Sequence, residues 1–138
     1  MRLHILTTLA FAAMLPLASR PLAAQTKWKE IGKTSSNNPV FVDPSSIKTK
    51  DSITTARIQV KFVTPVETPK GKWMLSRHVA MFNCARHTIA NKSTYYYGDA
   101  AATRVMESSI PKIPGFGPTI DGSMTQVAFD YVCKAKKK

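Results

Sequence analysis

From Ile53 to Val63 the chain alternates: Ile58, Val60 and Phe62 fall on one side of an extended backbone, and Arg57, Gln59 and Lys61 fall on the other. One buried face and one wet face is the behaviour of an antiparallel sheet covered on a single side. A chain built around such a segment needs partner strands beside it and an apolar cover for one face.

The flanking sequence supplies both. Lys27-Trp28-Lys29-Glu30-Ile31 alternates and reads as a first strand, and Val40-Phe41-Val42 reads as a short apolar one. Asp43-Pro44-Ser45-Ser46 ends it, because proline fixes φ and the Asp or Ser side chain accepts from a nearby backbone N–H. Pro65 to Gly71 is expected to turn the chain back into a second long strand, Trp73 to Cys84, with Ala80, Phe82 and Cys84 on one face and Val79 and Met81 on the other. Thr88 to Tyr97 and Ala102 to Ser108 read as two more strands around a turn at Tyr97-Gly98-Asp99. Ser109 to Gly122 is rich in proline and glycine and reads as a loop. Ser123 has the character of an N-cap for a helix from Met124 to about Lys136. Its expected apolar face is Met124, Val127, Ala128 and Tyr131 with Val132 beside them, and its polar stripe is Gln126, Asp130 and Lys134. The expected fold is α+β: an antiparallel sheet of five to six strands with a C-terminal helix held on one face.

The N-terminus reads as a targeting segment rather than part of that fold. Arg2 and His4 precede an apolar run from Ile5 to Leu17, and small residues gather at Ala18-Ser19 and Ala23-Ala24. Only 17 residues separate Arg2 from Arg20, and Pro16 interrupts them. A spanning helix needs about 20 apolar residues, so a cleaved signal is favoured over an anchor. The expected division is a signal peptide over 1–24 and one domain over 25–138, with Gln25 as the new N-terminus. No cysteine lies near the junction, which argues against a lipoprotein.

The net charge of +12 falls only to +10 without Arg2 and Arg20, and Lys134, Lys136, Lys137 and Lys138 crowd the C-terminus. Inside a cell such a balance would suggest nucleic acid; for an exported protein the polyanions within reach are envelope lipids, lipopolysaccharide and anionic glycans. The plain alternative is a solvated tail that keeps a small domain soluble.

Cys84 and Cys133 are the two cysteines of the chain. An even count in an exported protein reads as a disulfide, here pinning helix to strand. A zinc set of His78, Cys84, His87 and Cys133 is the competing reading, but structural zinc sites bring ligands in close pairs and Cys133 stands alone. A dithiol redox role would need Cys-x-x-Cys, which the sequence lacks.

Trp28, Phe41-Val42-Asp43-Pro44-Ser45-Ser46-Ile47, Asn83-Cys84, Tyr97-Gly98-Asp99 and Val132-Cys133, in that order across 26–135, resemble the surface-adhesin protein E family of Gram-negative bacteria. The resemblance implies an antiparallel sheet whose C-terminal helix is tethered by the disulfide to the concave face. It also implies contact with host matrix or serum proteins and the capacity to form a homodimer. The name-giving adhesin is a surface lipoprotein, and this chain departs from it in lacking the lipid-bearing cysteine, so the address stays open between periplasm and surface. None of the adhesin's ligand contacts belongs to the shared motif.

No nucleophile, base and orienting group can be assembled, which argues against an enzyme, and no cofactor is implied. His78 shares the Cys84 face by parity and reads as a satisfied buried histidine. Tyr95 and Tyr97 share a face, with Tyr96 on the other, as cross-strand packing or as an exposed patch. Phe116 and Ile120 are expected to fold back onto the core. The candidate ligand contacts are Arg57 and Lys61 on the wet face and Lys134, Lys136, Lys137 and Lys138 in the tail. Two functions remain: a binding module of the cell envelope, or an accessory periplasmic domain without an exogenous ligand. N-terminal sequencing of protein from the extracytoplasmic fraction is expected to start at or near Gln25, and a retained Met1 would mean that the segment anchors.

Overall fold

The computed structural model describes residues 28–134, so the expected signal peptide 1–24, its expected cleavage point and Lys136, Lys137 and Lys138 lie outside the described residues. The elements in order are β1 (Lys29–Lys33), β2 (Pro39–Val42), a 3₁₀ turn (Pro44–Ser46), β3 (Lys48–Lys50), β4 (Ile53–Thr68), β5 (Gly71–Asn83), β6 (Thr88–Tyr97), β7 (Val105–Ser109), β8 (Gly117–Pro118) and α1 (Met124–Lys134). All strands belong to one sheet in the order β1-β2-β4-β5-β6-β7, with β3 added to β4 and β8 added to β6. Every pairing is antiparallel. The α+β expectation, with six strands on the main path and one C-terminal helix, is met.

The alternation in β4 sorts the two faces. Ala56, Ile58 and Val60 are buried together with Val40, Val42, Ala80, Phe82 and Ile89 from the neighbouring strands. Across this layer lies α1, which contributes Ala128, Phe129, Val132 and Cys133. The helix is seated about one position round from the expected stripe. Phe129 is at its centre, 6.4 Å from the Phe82 ring centroid to centroid, while Met124, Val127 and Tyr131 are only partly covered. Close approach to β1 depends on Gly32, whose φ is +156° and where a Cβ would stand 2.9 Å from Val127 Cγ1. Ser123 caps the helix as expected, its Oγ accepting from Thr125 N at 3.2 Å.

Several local readings need correction. Trp28 precedes β1 rather than lying in it. Pro65 does not begin the turn: β4 continues through it to Thr68, and the chain reverses at Pro69-Lys70. The strand tolerates the proline because the β4–β5 register breaks between Lys61 and Val66, so the missing N–H costs no regular ladder bond. β3 was not anticipated; it is three exposed residues joined to β4 through Asp51 and Ser52, both at positive φ as a tight hairpin turn requires. β8 pairs only two residues of the proline-rich loop with Thr88 and Ile89. Phe116 and Ile120 do not fold back onto the core and stay 43% and 68% exposed. The loop reaches the sheet through Gly117-Pro118 instead.

Cys84 and Cys133 form the disulfide, with their Cα atoms 5.4 Å apart and a sequence separation of 49. With the two sulfurs joined to each other, neither is a thiolate available to a metal. Chain-entropy reasoning gives a cross-link over such a loop roughly 4 kcal/mol. Thiol labelling of the unreduced, denatured protein is therefore expected to find no free cysteine. The Cys84→Ser/Cys133→Ser variant should lose about 2–5 kcal/mol in denaturant titrations.

Candidate functional site

With α1 on one face, the other face of the sheet is open. Register lines up a row across it: Glu30 opposite Phe41, Phe41 opposite Gln59, Gln59 opposite Arg77, and Arg77 opposite Tyr95. Arg77 is the centre of this row. Its Nε donates to Gln59 Oε1 at 2.9 Å, and its Cζ lies 5.4 Å from the Trp28 ring centroid and 5.5 Å from that of Tyr97. Gln59, expected to be wet, is instead 4% exposed under these neighbours. A cleft of about 660 Å³ opens here, lined by Trp28, Arg57, Arg77, Val79, Ser93, Tyr95 and Tyr97 among others, with no carboxylate in its lining.

Side-chain capping makes the turn that holds Arg57 and the loop that carries Ala101. Asp43 Oδ1 accepts from Ser45 N at 3.1 Å and from Ser45 Oγ at 2.6 Å, and Oδ2 is ion-paired with Arg57 Nη2. Ser46 Oγ donates to Asp43 O at 2.6 Å and accepts from Arg57 N at 2.8 Å, which ties the turn to β4. Burial opposes ionisation of Asp43, but the Ser45 hydrogen bonds and the Arg57 guanidinium together hold its carboxyl below the usual carboxylate range. On the other side, Asp99 accepts from Thr103 N, Thr103 Oγ1 and Arg104 N, closing the loop that carries Ala101 to the cleft rim. The Thr103 hydroxyl, then the Arg104 amide, lower the Asp99 pKa.

The expected contact residues are therefore divided. Arg57 reaches the cleft, but its Nη2 is committed to Asp43. Lys61 lies on the same face with its Nζ 5.1 Å from the Phe41 ring centroid. Lys134 is far from this face, at the end of α1, 3.7 Å from Asp130. Tyr95 and Tyr97 both line the cleft, as their shared parity implied, while Tyr96 stacks on Trp73 at 3.9 Å between centroids. Arg77 and Trp28 were not foreseen as contacts. The parity of Arg77 with Val79 and Met81 places it on the wet face, but which aromatics flank it depends on register.

On the helix side, His78 is 7% exposed, with Nε2 2.9 Å from Ser76 Oγ and Nδ1 3.2 Å from Thr94 Oγ1. This is the satisfied buried histidine that the parity implied. The pair is a poor nucleophile and base: Ser76 is 2% exposed, the other ring nitrogen meets a hydroxyl instead of a carboxylate, and burial pushes the imidazole pKa down to about 4.

The profile of the family described as surface-adhesin protein E matches residues 28–134. The chain belongs to that family. Among solved structures it is similar to Haemophilus influenzae protein E in crystal form II, with 16% identity and a TM-score of 0.56 over 85% of this chain and 98% of the other. A second protein E structure from Haemophilus influenzae gives 15% identity and a TM-score of 0.54, covering 83% of this chain and 89% of that one. Protein E from non-typeable Haemophilus influenzae gives 16% and 0.53, over 83% and 80%. At such identities the likeness is one of fold. No curated protein matches the sequence.

The histidine supplies a pH test. An unfolded chain binds its imidazole proton near 6.5 and the folded one only near about 4, so between these values the unfolded state holds more protons. Stability is expected to fall as pH drops through that window, by about 3 kcal/mol in total from this group. Urea titrations at pH 7 and 4.5 check it; His78→Asn should flatten the slope.

Proposed function

We propose that this family member is an exported, adhesin-like binding domain without catalytic activity, which contacts host or envelope proteins or polyanions through its open sheet face. The observation that carries the reading is the placement of Arg77 between Trp28 and Tyr97 on the face that α1 leaves uncovered. Aromatic and arginine side chains together are the residue types that dominate binding surfaces. The same face bears Arg57 and Lys61; the cleft lining holds no acid, and Arg57 is paired with the buried Asp43 of the neighbouring turn. Lys134, Lys136, Lys137 and Lys138 add long-range attraction for the same class of partner. Such attraction is screened beyond about 8 Å at physiological salt, so it accelerates encounter more than it holds the complex.

Retention on immobilised heparin and on acidic matrix protein is expected to fall steeply with salt. Removing residues 136–138 should lower the eluting salt concentration without affecting the disulfide. An unchanged elution would make the tail a solubilising appendage, and absence of retention at low salt would remove the binding reading itself.

A further inference from the structure

We infer that the cleft around Arg77 is a subsite for one carboxylated sugar unit of an acidic glycan, an assignment that rests on the open face being a binding surface. Arg77 is held before any ligand arrives. An arginine only donates, so the 2.9 Å contact from Nε fixes the Gln59 amide with its oxygen toward the guanidinium, and Gln59 is itself 4% exposed. The rings of Trp28 and Tyr97 flank the guanidinium. Its terminal amino groups make no hydrogen bond among the described residues, and they form the fork that matches the two oxygens of a carboxylate. Asp43 is 1% exposed and committed to Arg57, the cleft lining holds no carboxylate, and Arg77 makes no ion pair among the described residues, so its positive charge is left for a ligand.

The shape of the site selects the kind of acid. The cleft lies on the face of the sheet, over β4, β5 and β6, whose backbone groups are used in ladder bonds. A peptide cannot add there as a strand, and recognition falls to side chains alone. Those side chains are flat rings and small polar groups: Trp28, Tyr95 and Tyr97 to lie against the C–H faces of a sugar, and Ser93 to meet its hydroxyls. A volume of about 660 Å³ is in the range of small-ligand pockets, roughly 300–1,000 Å³. The cleft thus pairs one charge-specific contact with ring-shaped apolar walls, which a hexuronate or a sialate fills and a neutral hexose does not.

The experiment titrates the full exported chain with four probes in two pairs: a hyaluronan hexasaccharide against its carboxyl-reduced form, and sialyllactose against lactose. The readout is the NMR signal of the Trp28 indole N–H and the Arg77 Nε–H, with the Trp73 indole, stacked on Tyr96, as the internal reference. At least one acid is expected to move the Trp28 and Arg77 signals and to bind at least tenfold more tightly than its neutral partner; which pair responds identifies a uronate or a sialate. Arg77→Gln should abolish that preference, and Arg77→Lys, which keeps the charge but not the fork, should restore only part of it. An unchanged Trp73 signal verifies that each variant is folded. If neither acid moves the Trp28 signal, if the neutral partners bind equally, or if Arg77→Gln keeps the preference, the subsite is wrong. Salt-sensitive heparin retention that persists in that case leaves the open face as a binding surface, whereas loss of both removes that surface too.

Discussion

Between Lys61 and Val66 the long hairpin of β4 and β5 loses register, and β4 uses three more residues than β5 over the same stretch. A shift by an odd number exchanges the faces of everything beyond it. Counted from the turn at Thr68 and Gly71 without the break, Gln59 would face Ala80; with it, Gln59 faces Arg77. That one irregularity brings Gln59 beneath the guanidinium and sets Ala56, Ile58 and Val60 in a row with Ala80, His78 and Ser76 under the helix. Pro65 sits inside the break, where the lack of an N–H is harmless and the fixed φ restricts alternative pairings.

The motif residues of the family act on the frame more than on the cleft. Asp43, Ser45 and Ser46 build a turn that is bonded to β4 through Arg57, and Cys84 and Cys133 fasten the helix to the end of β5. Gly98 lies where a Cβ would come within 2.9 Å of the Arg104 side chain, so the turn after β6 closes tightly over Asp99. These are contacts within the fold, and the fold is what this chain shares with protein E of Haemophilus influenzae at 16% identity. Trp28 is different. It stands at the start of the matched region yet packs over Arg77 on the open face, so one motif position joins the frame to the cleft.

Legibility in the sequence follows the range of the interaction. Period-2 alternation is local, so the faces of β4 and β5, the burial of His78 and the shared face of Tyr95 and Tyr97 could all be read directly. The N-cap at Ser123 and the capped turn at Asp43 are local as well. Cross-strand register is not local where a bulge intervenes, and for that reason Arg77, Trp28 and the burial of Gln59 were hidden. β3 was missed because Lys48-Thr49-Lys50 carries no apolar signal and its turn uses Asp51-Ser52, not a glycine pair. The hydrophobicity of Phe116 and Ile120 points inward, but Pro114 and Pro118 restrict the backbone of their loop, which pairs with β6 through Gly117-Pro118 and leaves both side chains exposed.

Closing one face with a cross-linked helix has a consequence for the other. Since α1 and the disulfide stabilise the apolar layer, the open face is free to carry charge and aromatic surface that contributes little to folding. Arg77 gains from its rings only about 0.5–1 kcal/mol if exposed, a small term against the burial of Phe82 and its neighbours, about 1.5–3 kcal/mol for each large side chain. An arrangement that adds so little to stability, yet fixes a guanidinium through a buried glutamine and two aromatic rings, supports the binding role proposed for this face. The +12 net charge acts at longer range and is sensitive to salt, whereas the geometry at Arg77 acts only on contact. In the proposed function, attraction by the whole surface and selection at one cleft are therefore separable, the first set by lysine number and the second by the register of β4 on β5.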